Sequence, residues 1–287
     1  MKKTSLFCFF LLIASLQVTA LPSLIAGQDY WRAEEYYQNS SSQKDAAADL
    51  MKYVSIKPSQ KILDVGCGDG KITAEIASQI PAGSITGVDI SSSMIDFAKG
   101  AFSSNRYQNL SFFLKDAQSL DYNEEFDTVF SFTTLQWIQN HEAFLTGAYK
   151  SLKQSGTLAI TMPMGLPVTL EQAVNEFMVQ PEWAPYFQQF STGWNFAQES
   201  EYKNLVLAHH FTPSRFEVVP QKDIFPSREV FEKFIGQWFP YLRPLPEDLR
   251  KTFLTKVVDR FLELESPFPN GEVHFKIRRL EVVATKN

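Results

Sequence analysis

A glycine-rich turn is the segment of this chain best suited to hold a ligand. The apolar run over residues 62–65 predicts a buried parallel strand, and a helix is predicted to begin at Lys71. The glycines between them are Gly66, Gly68 and Gly70. Because glycine adopts positive φ without a Cβ clash, a ligand can lie close to this backbone, and the unpaired N–H groups of the helix N-terminus face the same space.

Two acidic residues near the turn restrict which ligands suit this site. Residues 84–89 are predicted to form a second strand that ends in Asp89, where an acid suits hydrogen bonds to both hydroxyls of a ribose. Asp64 precedes the glycines and would repel a pyrophosphate, but it suits the ammonium of an amino-acid group. A ligand with a ribose, an amino-acid group and no phosphate is S-adenosylmethionine, and we predict this cofactor.

Other strand ends extend the predicted cofactor site, because ligands of doubly wound sheets bind outside the carboxyl ends of the strands. Ile90 and Met94 are candidates to sandwich the adenine, with ordinary helix packing as the alternative. Asp116 is a candidate acceptor for the adenine amino group or, alternatively, a turn cap, and Ala117 is a candidate backbone donor. Ser131, near the end of the fourth predicted strand, is expected beside the sulfonium.

The chemistry of a sulfonium cofactor sets what the protein must supply. Methyl transfer is an in-line displacement that needs alignment and desolvation. A carboxylate acceptor is ionised at neutral pH and needs no base, whereas a hydroxyl or an amine needs one. His141 is the histidine nearest the predicted strand ends, and a helix-capping turn is the preferred interpretation of its surroundings. We therefore assign no catalytic residue, and no Cys/His cluster predicts a metal.

The elements that position these residues alternate between strands and helices. Repeated βα units predict an α/β fold with a Rossmann-like, doubly wound, mostly parallel sheet of seven strands. Residues 58–165 and 215–287 are assigned to this domain. Residues 166–214 fit no βαβ unit and are predicted to form a helical cap inserted over the substrate site. Residues 21–57 are predicted to be an N-terminal helical segment.

The N-terminus indicates export. Lys2 and Lys3 precede an apolar run over residues 6–16 and a small-residue cleavage site that ends at Ala20. Residues 1–20 are therefore predicted to be a signal peptide, with an uncleaved anchor or a fortuitous apolar start as alternatives. The expected location is periplasmic or secreted, or cytoplasmic if the leader does not function, with no stable membrane span after its removal.

Composition bounds the remaining function classes. The formal charge of the 287-residue chain is −5, and no basic run occurs, which argues against nucleic acid as the main partner. The sequence has 25 Phe, of which most are expected in the core and some in an apolar substrate pocket. One cysteine, Cys67, remains after removal of the leader, so no intramolecular disulfide is expected.

Four short sequence words outside the glycine turn carry a family resemblance. They are YQNSSSQKDA at 37–46, GVDISSSMI at 87–95, FSFTTLQWI at 130–138 and PEWAPY at 181–186. Together they resemble the juvenile hormone acid and trans-aconitate methyltransferase group, which is a class I group of S-adenosylmethionine-dependent enzymes. The resemblance covers residues 30–165 well and continues more weakly to the C-terminus.

The resemblance implies methylation of a carboxylate in a small organic or fatty acid, with a methyl ester as product. It implies that Gln43 and Trp137 hold the substrate carboxylate through amide and indole N–H donors. It also implies that Tyr36 or Tyr37 closes over the cofactor, and Tyr37 is placed with the substrate-binding residues. Two alternatives stay open: a small-molecule methyltransferase acting on hydroxyl, amine or carbon, and an exported, non-catalytic binding module that keeps the fold.

Overall fold

The computed structural model describes residues 29–103, 105–265 and 269–287, so the predicted signal peptide at 1–20 lies outside the described residues. Seven strands form one sheet. In chain order they are β1 (Lys61–Val65), β2 (Ser84–Asp89), β3 (Leu110–Leu114), β4 (Phe126–Phe132), β5 (Leu152–Pro163), β6 (Phe211–Phe225) and β7 (Val273–Lys286).

The sheet has the order β3-β2-β1-β4-β5-β7-β6. Strands β1 to β5 pair in parallel, whereas β7 lies antiparallel to both β5 and β6. The strand order reverses between β1 and β4, and ligands of open α/β sheets bind at such a switch point. The predicted Rossmann-like, mostly parallel sheet of seven strands is confirmed.

Ten α-helices are present in the described residues. They are α1 (Ala33–Asn39), α2 (Ser41–Met51), α3 (Lys71–Gln79), α4 (Ser92–Ala101), α5 (His141–Ser151), α6 (Val168–Met178), α7 (Ala184–Phe187), α8 (Glu199–Ala208), α9 (Arg228–Gly236) and α10 (Glu247–Leu264).

The central strand shows why the sequence forms a buried parallel sheet. Three apolar residues of β1 are fully buried, namely Ile62, Leu63 and Val65. Helices cover both faces of the sheet, so side chains on either side of this strand lie in the core, where apolar residues are favoured. Two hydrophobic cores fill the space on the two faces of the sheet. Ser91 caps the N-terminus of α4, since its hydroxyl accepts a hydrogen bond from the backbone N–H of Met94 at 3.1 Å.

A third hydrophobic core joins the predicted cap, residues 166–214, to the helices α9 and α10. Trp183 from the predicted insertion packs on Phe253 of α10, with ring centroids 5.1 Å apart, and Phe231 of α9 belongs to the same core. The sequence groups α9 and α10 with the sheet domain, because their apolar period predicts a buried face without saying what covers it. In the structure, those apolar faces pack against residues 166–214, so the cap consists of these residues together with the segment from α9 to α10.

Strands β6 and β7 pair antiparallel along their lengths, although α9 and α10 lie between them in the chain. Asn270 and Gly271 form the turn that leads into β7, and both residues have positive φ, at 61° and 74°. Strand β6 begins at Phe211, which lies within the residues 166–214 that were predicted to form the cap. No helix in the described part of the chain combines the length and apolar character that crossing a bilayer requires.

Candidate functional site

The glycine turn has the backbone that the sequence predicts. Gly66, Gly68 and Gly70 have φ of +77°, +53° and +79°. A Cβ at Gly66 would lie 2.2 Å from Thr134, and one at Gly70 would lie 2.6 Å from Phe112. At Gly68 only the ring of Tyr36 comes within 4 Å, at 3.8 Å. Two glycines therefore allow close packing, while the third leaves an open backbone surface that faces Tyr36.

Asp89 ends β2 with its carboxylate held against this turn. One oxygen accepts the N–H of Gly68 and the other accepts the N–H of Ser91, both at 2.9 Å. Burial raises the pKa of Asp89, although these two N–H groups oppose the shift. A carboxylate oxygen has more than one lone pair, so Asp89 can still receive a pair of ligand hydroxyls.

Asp64 lies deeper, and half of its carboxylate has no partner. One oxygen accepts the Thr73 hydroxyl at 2.7 Å, while Oδ1 is buried without a hydrogen bond from any described residue. Burial raises the pKa of Asp64 to about 7, and the charges of Asp89 and Asp69 act in the same direction. A buried acceptor without a donor is costly, so Oδ1 suits a ligand that brings a cation or a donor.

The remaining predicted cofactor residues differ in accessibility. Ile90 is 67% exposed, whereas Met94 is 2% exposed and packs at the start of α4. Asp116 accepts the N–H of Gln118 at 2.9 Å and so caps the short turn that contains the buried Ala117. Ser131 is fully buried, and its hydroxyl donates to the carbonyl of Val65 at 3.0 Å, which uses its donor inside the sheet.

A second cavity opens beside the turn and is lined mainly by aromatic side chains. Its empty volume is about 720 Å³, including its open mouth. Tyr36 borders this aromatic pocket and also faces Gly68, so it joins the pocket to the glycine turn. The other aromatic lining residues are Trp31, Trp137, Trp194, Phe196, Phe234, Trp238 and Phe275.

Tyr36, and not its neighbour Tyr37, therefore borders the pocket. Tyr37 packs on Phe97 with ring centroids 5.3 Å apart, and the Lys71 ammonium lies 4.2 Å from its ring centroid. Successive helical residues point about 100° apart, so only one of two adjacent tyrosines can face the site. Asp29 fixes this N-terminal segment by accepting the Ser93 N–H at 2.8 Å.

The pocket contains three buried polar atoms without partners. The Gln43 Oε1, the Gln136 Oε1 and the Thr161 hydroxyl lack a hydrogen bond from any described residue. The other end of the Gln136 amide donates to the carbonyl of Thr133 at 2.9 Å. Orphaned polar atoms that converge on one cavity indicate a ligand that hydrogen-bonds there.

Trp137 lies where several segments meet. Its ring centroid is 5.4 Å from that of Trp31 and 5.7 Å from that of Trp194. The first neighbour comes from the N-terminal segment and the second from the cap. Trp137 itself follows β4, so the predicted substrate residues Gln43 and Trp137 reach one pocket from separate elements.

A charged network at the pocket floor was not foreseen from the sequence. Arg279 of β7 is buried and donates to Asp49 at 2.8 Å and to Glu281 at 2.9 Å. Arg215 pairs with the same Glu281 at 2.7 Å. Three charges within four residues, at 278, 279 and 281, inside an apolar strand pattern were the available signal for a buried polar network.

Two glutamines at the floor come from distant parts of the chain. Gln221 of β6 donates to the Ser42 hydroxyl at 2.9 Å and accepts from Arg279 at 3.2 Å. It thus connects β6 to α2, which carries Gln43. No local motif marks Gln221, because its role depends on how β6 pairs with β7, which is distant in the chain.

The histidine considered as a base lies elsewhere. His141 is buried at the start of α5, and its Nε2 lies 2.8 Å from the carbonyl of Leu135. Burial lowers the pKa of His141. Among the described residues, the side chains that line the aromatic pocket include no histidine, lysine, aspartate or glutamate.

Comparisons with known proteins agree with this fold. A family model described as a methyltransferase domain matches residues 56–221. The trans-aconitate 2-methyltransferase of Methylobacterium nodulans is 26% identical over 258 residues, which cover 89% of this chain and 98% of that protein. The enzyme of the same name from Rhizobium meliloti is 24% identical and covers 90% of this chain and 99% of its own.

A solved structure shares the fold at lower identity. The phosphoethanolamine N-methyltransferase 2 of Haemonchus contortus, solved in complex with S-adenosyl-L-methionine, superposes with a TM-score of 0.54 and 17% identity. The match covers 85% of this chain and 52% of that one.

Proposed function

The chain belongs to the family of methyltransferase domains, and we propose that this S-adenosylmethionine-dependent enzyme methylates a carboxylate of a small organic or fatty acid to give a methyl ester. One observation carries the choice of acceptor. The pocket beside the cofactor turn has, among its described lining residues, no side chain that serves as a general base near neutral pH.

The residues present fit the cofactor. Gly68 offers an open backbone surface, and Asp89 presents a carboxylate whose free lone pairs suit the ribose hydroxyls. The orphaned Oδ1 of Asp64 suits the ammonium of the methionine part. When bound, S-adenosylmethionine supplies an electrophilic methyl group on a sulfonium, and the protein supplies position and exclusion of water.

The absence of a general base among the described lining residues distinguishes a carboxylate acceptor from a hydroxyl or an amine. A hydroxyl or an ammonium must lose a proton before or during methyl transfer, so its enzyme needs an acceptor for that proton. A carboxylate is already ionised and transfers no proton. The Tyr36 phenol does not fill the role of a base, because burial raises its pKa.

Two pocket residues are suited to hold the acceptor. Gln43 lines the pocket, where the NH2 of its carboxamide can donate to a carboxylate, and the Trp137 indole provides a second N–H donor in the same pocket. Donors from neutral groups orient a carboxylate without neutralising it, which leaves its oxygen nucleophilic. Relatives named as trans-aconitate 2-methyltransferases support the same acceptor class, since trans-aconitate is a carboxylate.

The pocket walls indicate the body of the acid. Aromatic rings from the N-terminal segment, the β4 turn and the cap enclose most of the space. Their apolar faces favour a hydrocarbon body over a further charged group, because burying an unpaired charge among them is costly. A fatty or aromatic acid therefore fits the interior best.

The test combines cofactor binding with product identification. Calorimetric titration of S-adenosylmethionine into the full chain should show binding that Asp89→Ala weakens. Incubation with a panel of fatty, aromatic and tricarboxylic acids should then give methyl esters. In the presence of saturating cofactor, the rate should stay level from about pH 6 to 9 because no base titrates.

The alternatives give different results. N-methyl, O-methyl ether or C-methyl products with a rate that rises through a single ionisation would replace the carboxylate proposal. Absence of cofactor binding by the folded chain would favour the non-catalytic binding module.

A further inference from the structure

Arg279 lines the aromatic pocket and Arg243 lines a neighbouring groove, and only the first of these arginines forms ion pairs with described residues. Arg279 inside the pocket is neutralised by Asp49 and Glu281, at 2.8 and 2.9 Å. Glu281 also pairs with Arg215, so this network holds two arginines and two carboxylates. The charge of Arg279 is therefore already balanced, and it has little left to attract an anionic substrate.

The charge of Arg243 is not balanced by a carboxylate of any described residue. It follows the short helical turn Pro240–Leu242 in the cap and is half-buried. Its guanidinium forms no ion pair and no side-chain hydrogen bond with any described residue. Burial lowers the pKa of Arg243, in keeping with a cation that has lost water and gained no anion.

Aromatic rings hold Arg243 in place. The guanidinium carbon lies 5.2 Å from the ring centroid of Trp137 and 5.3 Å from that of Tyr30. A cation over a ring face forms no hydrogen bond with it, so the N–H donors of the guanidinium stay available, in a planar fork that matches a carboxylate. The side chain thus contacts rings from two separate segments, while its N–H groups form no hydrogen bond with any described residue.

The position of Arg243 is at the boundary between the pocket and an outer groove. Trp31 and Trp238 line both spaces, so the two are neighbours. Arg243 lines the groove, whose empty volume is about 2140 Å³ including open solvent, and its ring partner Trp137 lines the pocket. A molecule that enters the pocket from this groove passes the free edge of Arg243.

We propose that Arg243 recognises the negative charge of the methyl acceptor at this entrance, and so determines that the enzyme takes acids. This inference rests on the proposed carboxyl methylation. The anion forms charge-assisted hydrogen bonds with the guanidinium edge before or while its carboxylate reaches Gln43 and Trp137. A protonated amine is repelled at the same point, and a neutral alcohol gains nothing.

The same arrangement separates substrate from product. Methylation of a monocarboxylic acid gives a neutral ester, which has no charge for Arg243 to hold, and methylation of a tricarboxylic acid removes one charge of three. The acid is therefore retained more strongly than the ester it becomes, and product release is favoured without any movement of the pocket.

The test measures acid and ester binding separately. Tryptophan fluorescence, to which Trp137 contributes, follows titration of decanoate, benzoate and trans-aconitate, and of the methyl ester of each, into the chain saturated with S-adenosylhomocysteine. The variants are Arg243→Gln, which removes the charge, and Arg243→Lys, which keeps it. Lys251→Gln is the matched control, because Lys251 lines the same groove, is exposed and loses an equal charge.

We expect wild type to prefer at least one acid over its ester. Arg243→Gln should weaken that acid by about tenfold while leaving the ester unchanged, and raised salt should reduce the wild-type preference. Arg243→Lys should restore most of the affinity, and Lys251→Gln should have little effect.

Three outcomes would overturn the inference: no preference for any acid over its ester in wild type, equal losses of acid and ester in Arg243→Gln, or an equal loss in Lys251→Gln. The proposed function fails in a different way. It fails if S-adenosylmethionine does not bind in the calorimetric titration, or if the products of turnover are not esters.

Discussion

Replacing Asp64 by asparagine should change the pH dependence of both stability and cofactor binding. Asp64 is buried, with Thr73 on one oxygen and no described partner on the other. Its pKa is raised from 3.8 to about 7 in the folded chain. Between these two values the unfolded chain is ionised while the folded chain holds a proton, so folding takes up a proton there.

The direction of the effect follows from that proton. Because the folded pKa is the higher one, the wild-type free energy of unfolding falls as pH rises from about 3.8 to about 7 and then levels off. At about 1.36 kcal/mol per pH unit, the whole window corresponds to roughly 4 kcal/mol, and the part above pH 5 to roughly 3 kcal/mol. An asparagine side chain has no ionisation, so the Asp64→Asn variant should gain this last amount relative to wild type between pH 5 and pH 8.

Urea unfolding of both proteins at pH 5 and pH 8 measures the change. Asp121→Asn is the control, since Asp121 is exposed in an ion pair with Lys115 and its pKa is lowered. A stability difference between Asp64→Asn and wild type that stays constant from pH 5 to pH 8 would refute the assignment of a buried, proton-binding carboxylate.

Cofactor binding should move in the opposite direction to stability. The Asp64→Asn variant lacks the charge that we assign to the ammonium of S-adenosylmethionine, so its affinity at pH 8 should fall by about tenfold although the protein is more stable. Wild-type affinity should decline below pH 7, where Asp64 is protonated. Calorimetry in two buffers of different ionisation enthalpy should show proton release on binding near pH 6, and the absence of that release would contradict the role of Asp64.

Three further predictions concern the cofactor turn, the pocket and its floor. Asp89→Ala should weaken S-adenosylmethionine by about 2–3 kcal/mol, or roughly 30- to 150-fold in calorimetry, because two charged hydrogen bonds are lost; unchanged affinity would remove Asp89 from the site. Gln43→Ala and Trp137→Phe should keep cofactor affinity and raise the KM for the acid in a methyl-ester assay, whereas loss of cofactor binding would show that their assigned role is wrong. Arg279→Met should lower the free energy of unfolding by about 2–4 kcal/mol in urea, since Glu281 loses one of two buried partners, and a stability equal to wild type would contradict a structural role for this pair.

The sequence was sufficient where the relevant residues are contiguous. The strand, the three glycines and the following helix occupy residues 61–79, so backbone sterics within one turn decide their conformation. The alternation of apolar runs and helical periods likewise predicted the five parallel strands, β1 to β5, because a strand that is covered on both faces is largely apolar along its own length. Asp89 was recognisable for the same reason, as an acid at a fixed distance after the glycines.

The sequence was insufficient where burial depends on distant partners. Residues 228–264 carry an apolar face that would suit the sheet or the cap equally well, and only packing on Trp183 and its neighbours assigns them to the cap. For the same reason the pattern alone did not separate Tyr36 from Tyr37. The packing of α1 against the glycine turn decides which of the two tyrosine rings faces the pocket.

The sequence by itself determined the sheet, the glycine turn and the class of cofactor, because local sterics and hydrophobic period act over a few residues. Tertiary structure alone decided which polar and charged groups line the aromatic pocket. Arg279 is neutralised by two carboxylates, whereas Arg243 lies near two aromatic rings and pairs with no carboxylate of the described residues. The described pocket lining contains no histidine, lysine or carboxylate side chain. A charge is balanced or free according to what lies within a few ångströms in space, which the order of residues along the chain does not state.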